Sequence, residues 1–148
     1  MMTPSTSNEA DSTAQAVIVL FASVNGYMSE IRKILSSNSA VANLTSECNV
    51  SRYPGAEWAR PDCFSFEAYV DAETKDGDGF RWSFDLSLES GKWTLSRDIE
   101  RKGKYGPETF RDFESVTYQS FGELRDGYAA LMSEFVRSAE NFALSSVD

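Results

Sequence analysis

Between Phe64 and Ile99, apolar and polar residues alternate with a period of two. Phe64, Phe66, Ala68 and Val70 take turns with Ser65, Glu67 and Tyr69. Phe80, Trp82, Phe84, Leu86 and Leu88 do so with Arg81, Ser83, Asp85 and Ser87, and Trp93, Leu95 and Ile99 with Thr94, Ser96 and Asp98. Successive side chains of a strand point to opposite faces, so the pattern predicts strands over 62–72, 79–89 and 92–101, each with one apolar and one polar face. An antiparallel sheet packed on one side and wet on the other accounts for it. The wet side then carries Glu67, Asp71, Asp85, Asp98 and Glu100.

Turn chemistry joins these strands. Glu73 to Gly79 contains two glycines and reads as a hairpin turn, and Ser90-Gly91 reads as a tight turn. A first, edge strand is expected over 46–53 with Cys48 and Val50 inward, followed by a loop from Tyr53 to Pro61 whose two prolines break any ladder. Arg101 to Pro107 reads as a basic loop, and a last strand near 110–119 needs a β-bulge because its alternation slips between Phe113 and Val116.

The pattern changes to spacings of three and four at both ends. Val17, Phe21, Val24, Met28, Ile31 and Leu35 mark an amphipathic helix, widened by Leu20 and Ile34, capped by Asp11 or Ser12 and stopping in Ser36-Ser37-Asn38-Ser39. Ser120 and Glu123 form a capping box, and Leu124, Tyr128, Leu131, Phe135 and Phe142 carry a closing helix to about Ser145. Residues 1–10 are rich in Ser, Thr and Asn and read as a disordered tail before a single domain over 11–146. The expected fold is α+β: a two-layer sandwich with a four- to five-stranded antiparallel meander and both terminal helices on one face.

Charge and composition narrow the chemistry. The chain of 148 residues has 14 Lys and Arg against 23 Asp and Glu, a net charge of -9, and no histidine. The acidic excess speaks against nucleic-acid binding and fits either plain solubility or a basic protein partner. Without histidine there is no Ser-His-Asp or Cys-His catalysis and no His-containing metal site. Cys48 and Cys63 are too few for an all-cysteine zinc site and read as reduced, partly buried thiols, with a disulfide between them as the alternative. Met1 to Asp11 lacks the positive residues of a secretory leader, and the apolar run Ala16 to Ala22 is too short to span a bilayer, so the expected location is cytoplasmic, away from membranes.

Local motifs give no reactive centre. Asp71 to Asp78 is acidic like a calcium loop, but counted from Asp71 the sixth residue is Asp76 and the twelfth Trp82, where an EF-hand needs Gly and Glu. Ser90-Gly91-Lys92 lacks the upstream glycine and the following Ser or Thr of a phosphate loop. Arg101-Lys102-Gly103-Lys104, with Arg97 and Arg111 nearby, is the basic cluster of the chain and reads as a solvated loop, with a site for a phosphate or an acidic partner as the alternative. Carboxylates such as Glu67, Asp85 and Asp98 on an exposed strand face lack the dry, concave setting that acid–base catalysis needs. Trp58, beside Tyr53, Glu57 and Asp62, is either an interface anchor or a lid over the sheet edge. No cofactor, metal or catalytic residue is implied.

Small, acidic, histidine-free α+β chains with Trp- and Phe-rich meanders, here Phe64–Val70, Phe80–Leu88 and Trp93–Ile99, resemble bacterial toxin-immunity proteins. The resemblance lies in layout and charge across the whole chain. It implies a non-catalytic domain that neutralises a cognate toxin by occluding it. The surface expected to bind such a partner is the open sheet face and the proline-flanked loop, with Glu57, Trp58, Glu67, Tyr69, Asp85 and Asp98 as its contact residues. A secretion or assembly chaperone and a small-molecule-binding α+β domain are the alternatives.

Overall fold

In the computed structural model, the described residues are 5–52, 64–103 and 106–145, with side chains described over a subset of these. The elements run α1 (Ser5–Ser36), β1 (Val41–Arg52), β2 (Phe64–Thr74), β3 (Gly79–Glu89), β4 (Lys92–Gly103), β5 (Gly106–Asp112), β6 (Val116–Tyr118) and α2 (Phe121–Ser145). All strand pairs are antiparallel, in the order β1-β2-β3-β4-β5, with β6 also on β4. The expected α+β meander with a helix at each end is therefore the fold.

Both helices cover the same face. Phe21 of α1 stacks on Phe66 of β2, with ring centroids 4.5 Å apart. Phe142 of α2 meets Trp82 edge-on at 5.2 Å, and the Trp82 indole donates to Ser138 Oγ at 3.1 Å. Leu20, Val24, Met28, Ile31 and Leu35 of α1 and Leu124, Met132, Phe135 and Ala139 of α2 are buried against Phe66, Val70, Phe84, Leu86, Leu95 and Ile99. The period-two residues thus meet the two helical stripes in one core. The capping box forms at α2: the Glu123 amide donates to Ser120 Oγ at 3.2 Å, and the Glu123 carboxylate accepts from the Gln119 amide at 2.9 Å.

The hairpins explain the register. Thr74 Oγ1 accepts from the Asp78 amide and the Thr74 amide donates to the Asp78 carbonyl, with Gly77 at a φ of 89° between them. Ser90 and Gly91 both have positive φ, 53° and 76°, the requirement of a two-residue type I′ turn between paired Glu89 and Lys92. That turn matches the right-handed strand twist, so it holds β3 and β4 in an unbroken ten-pair ladder.

Four expectations change. Helix α1 begins at Ser5, so residues 5–10 are helical and not a disordered tail. No Gly or Pro interrupts Ser5 to Asn25, and polar residues such as Ser and Asn cost a growing helix only tenths of a kcal/mol each. Strand β1 starts at Val41 rather than near 46; a register shift between Val41 and Asn43 hides the alternation there. Cys48 lies opposite Ala68, in phase with the core face, yet it is an exposed free thiol rather than a partly buried one, because β1 is the sheet's edge. The basic loop expected over 101–107 is largely ladder, with Gly103 paired to Gly106, and its neighbour breaks at Phe113 to Ser115 into β5 and β6 after a bulge opposite Ile99 and Glu100.

Candidate functional site

No helix of the described residues covers the second sheet face, and the register brings its polar residues into rows. Glu67 of β2 sits opposite Asp85 of β3, and Asp85 opposite Ser96 of β4. In the next row Tyr69 is opposite Ser83, Ser83 opposite Asp98, and Asp98 opposite Asp112 of β5. Further along, Asp71 faces Arg81 and Arg81 faces Glu100. The sheet forms an open groove of about 360 Å³ here, lined by Ser83, Asp85, Ser96, Asp98, Glu100, Asp112 and Ser115, with Arg97 also on its wall.

The groove is negatively charged and poorly compensated. Arg81 holds Asp71 by two hydrogen bonds, from Nε at 2.7 Å and from Nη2 at 2.8 Å, and lies 4.0 Å from the centre of the Tyr69 ring. The Tyr69 hydroxyl donates to Glu47 of β1, and this hydrogen bond, more than any other influence, raises the phenol pKa. Asp85 and Asp98 have no ion pair among the described residues, and Asp85 Oδ1 is buried without a hydrogen-bond partner there. Burial, then the nearby Glu67, raises the Asp85 pKa; burial, then Glu100 and Asp112, raises that of Asp98.

Raised carboxylate pKa values have a definite sign in stability. Between the ordinary value of 3.8 and the higher folded value, the folded protein keeps a proton on Asp85 that the unfolded chain has lost. Stability from this group is therefore complete in acid below 3.8 and declines as pH rises through the folded value. Asp85→Asn is expected to withstand more denaturant than the wild type at pH 7, with the difference closing on acidification. A wild-type advantage at pH 7 in urea melts would contradict this.

The expected site residues divide. Glu67, Tyr69, Asp85 and Asp98 share the open face and occupy two adjacent rows. Glu57 and Trp58 lie outside the described residues, as does Cys63. The sequence reading missed Asp112, which the β4–β5 register brings opposite Asp98, and Glu47, which edge strand β1 places opposite Tyr69.

The basic cluster of the sequence does not assemble. Arg97 is in phase with Leu95 and Ile99 and is 4% exposed on the core side. Its Nη1 donates to the Leu131 carbonyl at 2.8 Å and to Glu134 Oε1 at 2.9 Å, and its guanidinium lies 4.8 Å from the Phe113 ring centre. Arg101 pairs with Asp78 at 3.0 Å, and Arg111 stacks on the same Phe113 at 4.7 Å. Arg97, Arg101 and Arg111, which is paired with Ile99, share one phase of the ladder, but Arg101 is drawn to Asp78 at the hairpin end while Arg97 and Arg111 meet at Phe113.

Among the described residues no three of His, Cys, Asp and Glu are placed to hold a metal ion, and no helix is long and apolar enough to cross a membrane. No family model matches the chain, and neither a curated protein nor a solved structure matches it.

Proposed function

We propose that this chain is a non-catalytic protein-binding domain that neutralises a basic partner, in the manner of a toxin-immunity protein, through its open sheet face. The observation that carries this reading is the pair Asp85 and Asp98 on an uncovered face, each partly buried beside other carboxylates and without an ion pair among the described residues. Such groups lower stability in the free protein, and an incoming Lys or Arg relieves the repulsion and supplies the hydrogen bond that Asp85 Oδ1 lacks among the described residues. A rigid ladder suits this role, because an occluding inhibitor needs a preorganised surface and no reactive group. Cytoplasmic action against a toxin of the same compartment completes the proposal.

Co-purification from the native host with mass spectrometry supplies the partner. Surface plasmon resonance of Asp85→Lys/Asp98→Lys against it is then expected to show an association rate lowered about tenfold at low salt, with the loss shrinking as salt rises. Wild-type kinetics for the double variant would remove this face from the reading.

A second reading, a secretion or assembly chaperone, is favoured by Ile18 and Val19 of α1, which are 66% and 68% exposed. Chaperones hold clients through exposed apolar surface. Ile18→Asp/Val19→Asp would abolish client binding under that reading and leave immunity-type binding intact.

A further inference from the structure

The two edges of the sheet are built differently. The β5/β6 edge is short and broken, with strands of seven and three residues, a bulge opposite Ile99 and Glu100, Pro107 in its ladder, and Arg111 beside the bulge. These are the devices by which sheets prevent further strands from adding. Strand β1 has almost none of them. It is 12 residues long, and from Asn43 to Arg52 its pairing with β2 runs without a shift. It contains no Pro and no Lys, and its charges are Glu47 and Arg52. Among the described residues nothing pairs with its outer side.

We propose that the outer edge of β1 takes up an extended segment of a protein partner as an added antiparallel strand, and that this segment alternates basic and medium-sized apolar residues. The unpaired amides and carbonyls specify an extended backbone. Side chains of the added strand alternate between the two sheet faces. On the open face they meet Glu47, and beyond it the acidic rows, which calls for Lys or Arg. On the helix side they meet a groove of about 190 Å³ at the β1 edge, walled by Asn25, Met28 and Ser29 of α1 and by Ser46 and Cys48, and reaching round the edge to Glu47 and Tyr69, which fits residues the size of Val. A second copy of this chain is the poorer occupant, since it brings Glu47 beside Glu47 and two net charges of -9 together. The inference rests on the reading of the chain as a binder of a basic protein, but places this contact on a different surface.

The test uses the full chain and a labelled decapeptide of alternating Lys and Val, with two variants N-methylated either at every Lys or at every Val. Alternate amides of a strand point to opposite edges, so only one set can pair with β1. Fluorescence anisotropy at physiological salt is expected to show one methylated variant weakened at least tenfold and the other within threefold of the parent. Amide exchange by NMR is expected to slow at every second residue from Asn43 to Arg52 when the parent peptide is added, with β3 unchanged. Equal binding of both methylated variants, no binding of the parent, or outer β1 amides already protected in the free protein would each overturn the proposal. Protection that grows with protein concentration alone would assign the edge to a second copy and overturn it too. Asp85→Lys/Asp98→Lys leaves the alternating β1 protection in place, so loss of the open-face reading and loss of the edge reading are told apart.

Discussion

Replacing Trp82 by alanine is expected to destabilise the protein by about 3–5 kcal/mol, the usual consequence of emptying a buried aromatic site. Trp82 is fully buried on the central strand β3, edge-on to Phe142, with its indole donating to Ser138 Oγ. The alanine variant loses the ring's contacts with both layers and leaves the Ser138 hydroxyl without that donor, although this hydroxyl still donates to the Phe135 carbonyl. Against a typical domain stability of about 5–15 kcal/mol this is a large fraction. The thermal midpoint should fall by roughly 10 °C or more. Urea melts followed by far-UV circular dichroism check it, and an unchanged midpoint would mean that the helices do not depend on this contact. Trp82→Phe should recover more than half of the loss, since it restores the ring but not the hydrogen bond.

The second large effect is expected at the inward-pointing arginine. Arg97 lies among Phe84, Leu131 and Phe113, and among the described residues only Glu134, whose side chain is 51% exposed, pairs with it. Removing Glu134 leaves a buried guanidinium with one carbonyl acceptor and an aromatic face. Glu134→Ala is therefore expected to cost about 2–3 kcal/mol, the lower part of the range for breaking a buried pair, because water reaches the glutamate end. Arg97→Met removes charge and desolvation together, keeps much of the volume, and should cost less than Glu134→Ala or nothing. The double variant should be no less stable than Glu134→Ala alone. Denaturant melts of the three proteins decide this. A larger loss in Arg97→Met than in Glu134→Ala would show that the arginine's hydrogen bond to the Leu131 carbonyl, rather than charge compensation, dominates the site.

Much of this molecule was readable before any coordinates. The period of two in 64–99 determined the strands, their phase and the choice of core face, because a one-residue slip would turn Phe66, Trp82 and Leu95 into water. Ser120 and Glu123 announced the start of α2, and the stripe from Val17 to Leu35 announced α1, because capping and helical spacing are local properties of the chain. Glu67, Asp85 and Asp98 could be assigned to the open face by phase alone. Arg97 shows where such reading stops: its phase pointed inward, but its charge suggested solvent, and only the carbonyl of Leu131 and the carboxylate of Glu134, 34 and 37 residues away, make an inward arginine tolerable. Cys48 shows the reverse, a residue in phase with the core that remains exposed because edge strands lack a neighbour on one side. The start of β1 was invisible, and the break between β5 and β6 showed only as the slip between Phe113 and Val116, because pairing with a distant strand, not local propensity, stabilises such segments. Asp112 opposite Asp98, Glu47 on Tyr69, and the contrast between a blunted edge and a regular one arise in the same way: they join residues separated along the chain, which only the tertiary ladder brings together.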